Sequence, residues 1–201
     1  MGSCKQLLPL NGKPVIIHCL EAMINAEISD IIVVINSAED VIIDAISGFP
    51  VTIARNEDPE SDMAGSVRTG LRRIANSTTG VLVSLADNPL ISSTTYSLIR
   101  ECHEIAPDEI IIPVYKGKRG HPTLFPSELM DQMVKPLTLR DLLRLHSERI
   151  LPVPVPDIGV TLDMDNMEDY ERVQGILSSL NASKLPGTPH YPPINSLDVS
   201  L

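Results

Sequence analysis

The chain reads as an α/β fold built on a doubly wound sheet, and three observations lead there. Helical and strand-like stretches alternate at short spacing from Pro14 to Ile53, as they do when crossover helices join neighbouring strands. An apolar run, Val81-Leu82-Val83, gives way to a single carboxylate, Asp87, and then to the chain-breaking pair Asn88-Pro89. In open α/β sheets, ligands sit at the carboxyl ends of strands, which is where that carboxylate falls. The third observation is size: 201 residues with 43% hydrophobic content can bury one continuous core.

The elements follow in order. Asn11-Gly12-Lys13-Pro14 is a turn into a helix with Pro14 near its first position. That helix runs to about Glu27, with Ile16, Leu20, Met23 and Ile17, Ile24 at helical spacing. Asp30 to Asn36 is a buried strand, Glu39 to Ile46 a short helix, and Val51 to Ile53 a strand entered through Gly48-Phe49-Pro50. Arg55 to Ala64 is a polar loop, after which Gly65-Ser66 opens a helix carrying Val67, Leu71 and Ile74. Ser92 to Ala106 is a helix with Thr95, Leu98, Ile99, Cys102 and Ile105 facing inward, which leaves His103 at the surface. Glu109 to Val114 is a strand leading into a basic turn, Tyr115 to Pro122, whose two glycines allow a tight reversal. Helices follow at Pro126 to Met133 and at Thr138 to Leu145, the second capped by Thr138. Leu151 to Val155 alternates with prolines and suits an edge strand. Gly159 to Leu162 is a short strand and Glu168 to Leu180 the closing helix. Pro186, Pro189, Pro192 and Pro193 mark a flexible extension, so the expected organisation is one domain over 1–180 and a tail over 181–201.

Composition removes several function classes. A net charge of −10 argues against a general nucleic-acid surface, which needs clustered Lys and Arg. With no Trp and 3% aromatics, base-stacking platforms for single strands are not expected either. No apolar run approaches the length of a membrane span, and no secretory h-region opens the chain. Cys4, Cys19 and Cys102 are widely spaced and odd in number, which argues against a disulfide framework and points to a reducing cytoplasm. A small anionic substrate is compatible with this balance, because one Lys and one metal suffice locally.

Four stretches carry candidate chemistry, each with a plainer reading beside it. Asp87 is placed to hold a divalent cation against phosphate oxygens, or else to cap the helix near Ser92. Gly65 and Ser66 present free N–H groups to an anion or nucleotide, or else form an ordinary Ser-capped surface helix. Lys116, Lys118, Arg119 and His121 invite an anionic acceptor, or else form a solvated turn tip. Asp163 and Asp165, one residue apart on an extended chain, point the same way toward one cation, or else Asp165 caps the last helix.

With these pieces in view, the sequence resembles the MobA-like NTP transferase family, and within it the molybdenum cofactor cytidylyltransferases. Lys5-Gln6-Leu7-Leu8-Pro9-Leu10 with Gly12-Lys13-Pro14 resembles the family's K-x-L-L-P-L-x-G-K-P segment. Met63 to Leu71 resembles its G-M-S-x-S-L-x-x-G-L segment, and Leu85 to Leu90 its metal-binding G-D-Q-P-L segment. Gly120 to Phe125 resembles G-H-P-x-L-F, and Leu162 to Asp169 resembles L-D-I-D-T-P-E-D. Each motif alone is weak, but five in the same order over about residues 1–175 are specific together.

The resemblance implies a Rossmann-like three-layer nucleotidyltransferase fold with a mostly parallel sheet. It implies transfer of CMP from CTP to molybdopterin with release of pyrophosphate, with Mg²⁺ as cofactor and a molybdenum enzyme as a possible downstream partner. Carried over by position, Asp87 would bind Mg²⁺ with Asp163 or Asp165 as second acidic contact. Lys5 would face the triphosphate, Gly65 and Ser66 would lie near base and ribose, and His121 and Pro122 would line the acceptor side. Such a transfer is mainly positioning and charge neutralisation, so a cation, a lysine and N–H donors are the expected equipment. The sequence also departs from the family. The family's first strand, its glycine-rich L-A-A-G-x-S-x-R loop and that loop's arginine have no counterpart here, and loss of one such donor costs on the order of 10²–10³ in rate. Asp62 stands where the family usually has Gly, and Asn88 where it has Gln. These departures carry their own expectations: a functional protein that begins upstream of Met1, or a catalytically impaired protein that binds nucleotide or cofactor. A transferase using GTP, or a sugar or isoprenoid phosphate acceptor, is the remaining alternative.

Overall fold

Asn11 and Gly12 have φ angles of 49° and 80°, the left-handed pair that a tight hairpin requires. They fold β1 (Pro9–Leu10) back onto β2 (Lys13–Pro14) and deliver the chain into α1 (Val15–Asn25), whose buried face is Val15, Ile16, Cys19 and Leu20. The computed structural model describes residues 4–28, 30–36, 40–133 and 137–183. Beyond α1 lie β3 (Ile31–Asn36), α2 (Asp40–Ile46) and β4 (Val51–Asn56). β3 and β4 pair in parallel from Ile31–Val51 to Asn36–Asn56. The β-branched residues of β3 suit a sheet covered by helices, and Ile31 and Ile35 pack with Ile16, Leu20 and Ile42.

A second, larger sheet holds the rest. It contains β5 (Gly80–Val83), β6 (Ile110–Tyr115), β7 (Lys118–Arg119), β8 (Thr123–Pro126) and β9 (Ile150–Pro154). The strand order is β5-β8-β6-β7, with β9 also paired to β6. β8 is antiparallel to both β5 and β6, while β9 is parallel to β6, so β5, β6 and β9 run in one direction. The helices are α3 (Met63–Leu71), α4 (Ser93–Ile105), α5 (Ser127–Met130), α6 (Leu139–Leu145) and α7 (Met167–Ser183). One face of this sheet packs Ile110, Ile112 and Phe125 against α3, α5 and α6, and the other packs Ile111 and Leu124 against Ile99 of α4. The predicted α/β class therefore holds, as helices over both faces of a mixed sheet.

α3 bridges the two sheets. Its Val67 and Leu71 pack with Val81 and Val83 of β5, while a Cβ on its Gly70 would lie 3.2 Å from Val34 of β3. On the opposite face, Met23 of α1 packs beside β3 and also shares a cluster with Leu82 of β5. Among the described residues no strand hydrogen-bonds β3 to β5.

Several local expectations change. Gly159–Leu162 is not a strand: Ile158–Thr161 is a 3-10 turn, because Asp157 accepts from the Gly159 N–H at 2.9 Å and closes the backbone there. α3 starts at Met63, ahead of Gly65, because Asp62 caps it. α4 buries Thr95, Tyr96, Ile99 and His103, whereas Ile105 is 85% exposed. The ring of Tyr96 is fully buried and the imidazole of His103 also goes inward, while Cys102 stays half-buried against the cluster around Ile99. Thr123–Pro126, too short to show a period, is a strand buried at every position. β9 keeps its predicted edge position, pairing with β6 alone. The proline-rich tail falls, from Lys184 on, outside the described residues, and α7 runs past 180 to Ser183. No helix among the described residues is long and apolar enough to cross a membrane.

Candidate active site

Beyond the carboxyl end of β5 the chain is held by Ser84, whose hydroxyl is 2.7 Å from that of the buried Tyr96. Three residues later Asp87 turns toward the N-terminal segment. Its Oδ2 lies 2.6 Å from the Lys5 Nζ, and the same Nζ reaches Asp165 Oδ1 at 3.1 Å. Lys5 is carried on a 3-10 turn, Lys5–Leu7, just before β1, while Asp165 stands just before α7. Lys5 and Asp165 are thus joined across 160 positions of sequence. The Asp87 side chain is 14% exposed and that of Asp165 70%, so the inner half of the bridge is the strongly coupled one. Burial alone would lower the Lys5 pKa, but the hydrogen bonds to Asp87 and Asp165 outweigh it and hold the ammonium above its usual value.

The two carboxylates after the 3-10 turn divide their work. Asp165 pairs with Lys5, and it does not cap α7; Asn166 does that, accepting from the Asp169 N–H at 3.0 Å. Asp163 lines a neighbouring cleft of about 230 Å³ together with Asn88, Lys118, Arg119 and His121. Burial depresses the His121 pKa, and the charges of Asp163 and Asp87 only partly restore it. Pro122 follows His121 across a cis peptide. Lys116 and Gly117, with φ of 47° and 80°, form the turn between β6 and β7 that brings Lys118 and Arg119 to this edge.

Two glycines let the three loops of the cleft meet. A Cβ on Gly120 would stand 2.0 Å from the Val160 carbonyl oxygen, and one on Gly159 would stand 2.4 Å from the Leu90 carbonyl. Both approaches are closed to any other residue. The His121 N–H then donates to the Val160 oxygen at 2.8 Å. Asp157 ties the same region to α4, accepting from the Ser92 N–H at 2.8 Å, the Ser92 hydroxyl at 2.9 Å and the Thr95 hydroxyl at 2.6 Å. The strand-end loop, the β7 hairpin and the 3-10 turn therefore form one supported wall.

Gly65 and Ser66 lie in the first turn of α3, beyond the carboxyl end of β4. The Gly65 N–H donates to Asp62 Oδ1 at 2.8 Å, and the Ser66 N–H to the Asp62 carbonyl at 3.1 Å. Asn56, 5% exposed at the end of β4, donates to the hydroxyls of Ser61 at 2.7 Å and Ser66 at 3.3 Å. No hydrogen bond or ion pair joins Gly65 or Ser66 to Lys5 or Asp87 among the described residues, and the N–H groups of Gly65 and Ser66 are engaged by Asp62.

Three side chains matter to which sequence reasoning gave no role at the site. Asn88, noted there only as a turn residue and as a departure from the family's Gln, is 2% exposed and its Oδ1 has no hydrogen-bonding partner. Asp157 braces the wall through partners more than sixty positions away, and no local pattern marks it. Cys19 is buried near Asp87, and burial followed by that charge pushes its thiol up to about 12, which removes it as a nucleophile.

The donor set can be tested against a divalent cation. Asp87 Oδ1 is buried and has no partner, an arrangement that costs free energy unless a donor or cation approaches. Among the described residues no group of three His, Cys, Asp or Glu side chains converges. The protein therefore offers one or two carboxylates and leaves the remaining positions to water and substrate. That set fits Mg²⁺, which is usually held by one or two carboxylates plus phosphate oxygens, and does not fit a closed structural metal site.

Comparison with known proteins agrees with the architecture. The profile of the MobA-like NTP transferase domain matches residues 1–152. No curated protein matches the sequence. A nucleotidyl transferase from Methanothermobacter thermautotroptrophicus (Mth528) superposes with a TM-score of 0.75 at 22% identity, over 88% of this chain and 86% of that one. Rv0371C of Mycobacterium tuberculosis H37Rv, solved as a complex with manganese, gives 0.67 at 24% identity over 87% and 93%. The 4-diphosphocytidyl-2C-methyl-D-erythritol synthase of Anaerococcus prevotii DSM 20548 gives 0.71 at 16% identity over 84% and 88%. At these identities the likeness is one of fold.

Proposed function

The chain belongs to the MobA-like NTP transferase family and is a nucleotidyltransferase; from that premise we propose that it moves CMP from CTP to the phosphate of molybdopterin. The observation that carries the reading is the Asp87–Lys5–Asp165 bridge at the mouth of β5, set against a cleft lined by Lys118, Arg119 and His121. An acceptor phosphate oxygen attacks the α-phosphorus of the triphosphate. A new P–O bond forms, the bond to the β-phosphate oxygen breaks, and pyrophosphate leaves. Asp87 and Asp165 would hold Mg²⁺, which would supply positive charge against the phosphates. Manganese in the Rv0371C structure supports a divalent ion at this fold without fixing which one serves here.

The chain's own residues supply the rest. Lys5 neutralises the triphosphate as negative charge shifts toward the leaving pyrophosphate. Lys118 and Arg119 draw in the acceptor's phosphate and offset the net charge of −10 that would repel it. His121, kept neutral by its burial, offers a hydrogen bond on the acceptor side without adding charge, and Pro122 shapes the wall behind it. Gly65 and Ser66 serve the base and ribose through α3. A molybdenum enzyme would receive the product.

A second reading keeps the chemistry and changes the acceptor to a sugar or isoprenoid phosphate. It is favoured by the modest cleft, about 230 Å³, and by the named synthase among the structural relatives. The test is pyrophosphate release with CTP or GTP, Mg²⁺ and each acceptor class in turn. CTP with molybdopterin should give the largest kcat/KM, and Asp87→Ala should lower it by at least about a hundredfold. Saturable CTP binding with no turnover on any acceptor would replace the transfer reading by that of a nucleotide-binding protein. Full activity in Asp87→Ala would remove the cation assignment.

A further inference from the structure

Lys5 occupies the position between the carboxylates that a cation would need. Its Nζ is 2.6 Å from Asp87 Oδ2 and 3.1 Å from Asp165 Oδ1, and the Lys5 side chain is only 29% exposed. The bridge holds two negative charges and one positive, with Asp87 Oδ1 left over and unpartnered. A divalent ion entering the same oxygens meets a fixed ammonium at contact distance, and that repulsion is strong where water is scarce. Conversely, an ammonium driven off the carboxylates into a partly buried site needs another anion to receive it.

We infer that Lys5 and the divalent cation exchange places at this carboxylate pair, so that the cation enters together with the nucleotide. Before binding, the ammonium bridges Asp87 and Asp165 and offsets one of their two charges. After binding, the cation takes over the two carboxylates and the ammonium passes to the triphosphate that arrived with it. Every charge has a partner in both states, whereas free cation without nucleotide would strand Lys5. The exchange rests on the nucleotidyltransferase reading for its second half; its first half concerns only a metal ion and this chain.

The experiment is calorimetric titration of Mn²⁺, alone and then with the non-hydrolysable α,β-methylene analogue of CTP. The proteins are the wild type, Lys5→Met, Lys5→Arg and Asp87→Asn, each checked for native circular dichroism. Methionine keeps the stem and removes the charge. Lys5→Met should bind Mn²⁺ alone at least tenfold more tightly than the wild type, and Lys5→Arg no more tightly than it. With the analogue present the order should reverse, Lys5→Met binding the metal–nucleotide complex at least tenfold more weakly. Asp87→Asn should lose Mn²⁺ binding in both settings. Equal or weaker binding of Mn²⁺ alone by Lys5→Met, or no binding to either protein, overturns the exchange. Failure of the wild type to bind the analogue while Lys5→Met still gains affinity for Mn²⁺ alone overturns the functional reading instead and leaves the metal–lysine competition standing.

Discussion

A single added carbon at position 120 would collide with the backbone on which the cleft is built. The hypothetical Cβ of Gly120 sits 2.0 Å from the Val160 oxygen, which also accepts from the His121 N–H. Gly120→Ala must therefore push the β7 hairpin off the 3-10 turn. The expected cost is about 1–3 kcal/mol, read as a lower urea midpoint, with weaker acceptor binding because Lys118, Arg119 and His121 move together. His103 makes a prediction of a different kind. Its ring packs under Gly80, and its Nε2 lies 3.2 Å from the Thr79 hydroxyl. Burial lowers its pKa from the ordinary 6.5, with Glu104 and Asp108 opposing the shift. The unfolded chain thus binds this proton more readily than the folded one, so the folded state is favoured above the ordinary pKa and loses stability as pH falls below it. His103→Leu should flatten the fall in stability between about pH 7 and 5, measured by denaturant titration at each pH.

Among the elements, α4 has a start braced against the wall of the cleft by Asp157. Its cap, Ser92, accepts from the Thr95 N–H, and Asp157 collects three donors from the same turn while also holding the Gly159 N–H. A carboxylate at a helix N-terminus with several donors is stabilising both as a cap and against the helix dipole. Asp157→Ala should cost about 2–4 kcal/mol, more than a simple cap, because four donors lose their acceptor at once. Asp157→Asn should cost less, and a shift in acceptor KM should accompany both, since Gly159 seats against Leu90 beside Asn88. α3 shows a cap that could be read in part from the sequence. The polar loop before Gly65 was evident, but which of its residues engages the helix was not, and Asp62 does so three positions ahead of the expected start.

At the scale of the molecule the two sheets differ in how firmly they are enclosed. β6 is paired with β8, β7 and β9 and buries Ile110, Ile111 and Ile112 at 0%, 0% and 2% exposure. Among the described residues β5 is paired with β8 alone, and it is only half-buried at all four positions, although it carries the loop that presents Asp87. Native-state hydrogen exchange should therefore find the β5 amides opening well before those of β6. If Asp87 holds the cation as proposed, nucleotide with Mg²⁺ should slow β5 more than β6, because β5 leads into that residue's loop.

The sequence by itself settled what short-range physics settles. Apolar periodicity placed the helices and most strands within a few residues, Pro152 and Pro154 marked an edge, and Asp87 was legible because a lone carboxylate ended an apolar run. The order of five short motifs also pointed to the family that the chain belongs to. Only the tertiary structure could pair Asp165 with Lys5 and set Asp163 in the neighbouring cleft, put Lys5 between two carboxylates, insert β8 antiparallel between β5 and β6, and turn His103 inward. Those outcomes depend on which distant backbones approach one another, as Gly120 does to Val160 and Gly159 to Leu90. A local pattern specifies the face a side chain presents, whereas its partner is fixed by packing between segments far apart in the chain.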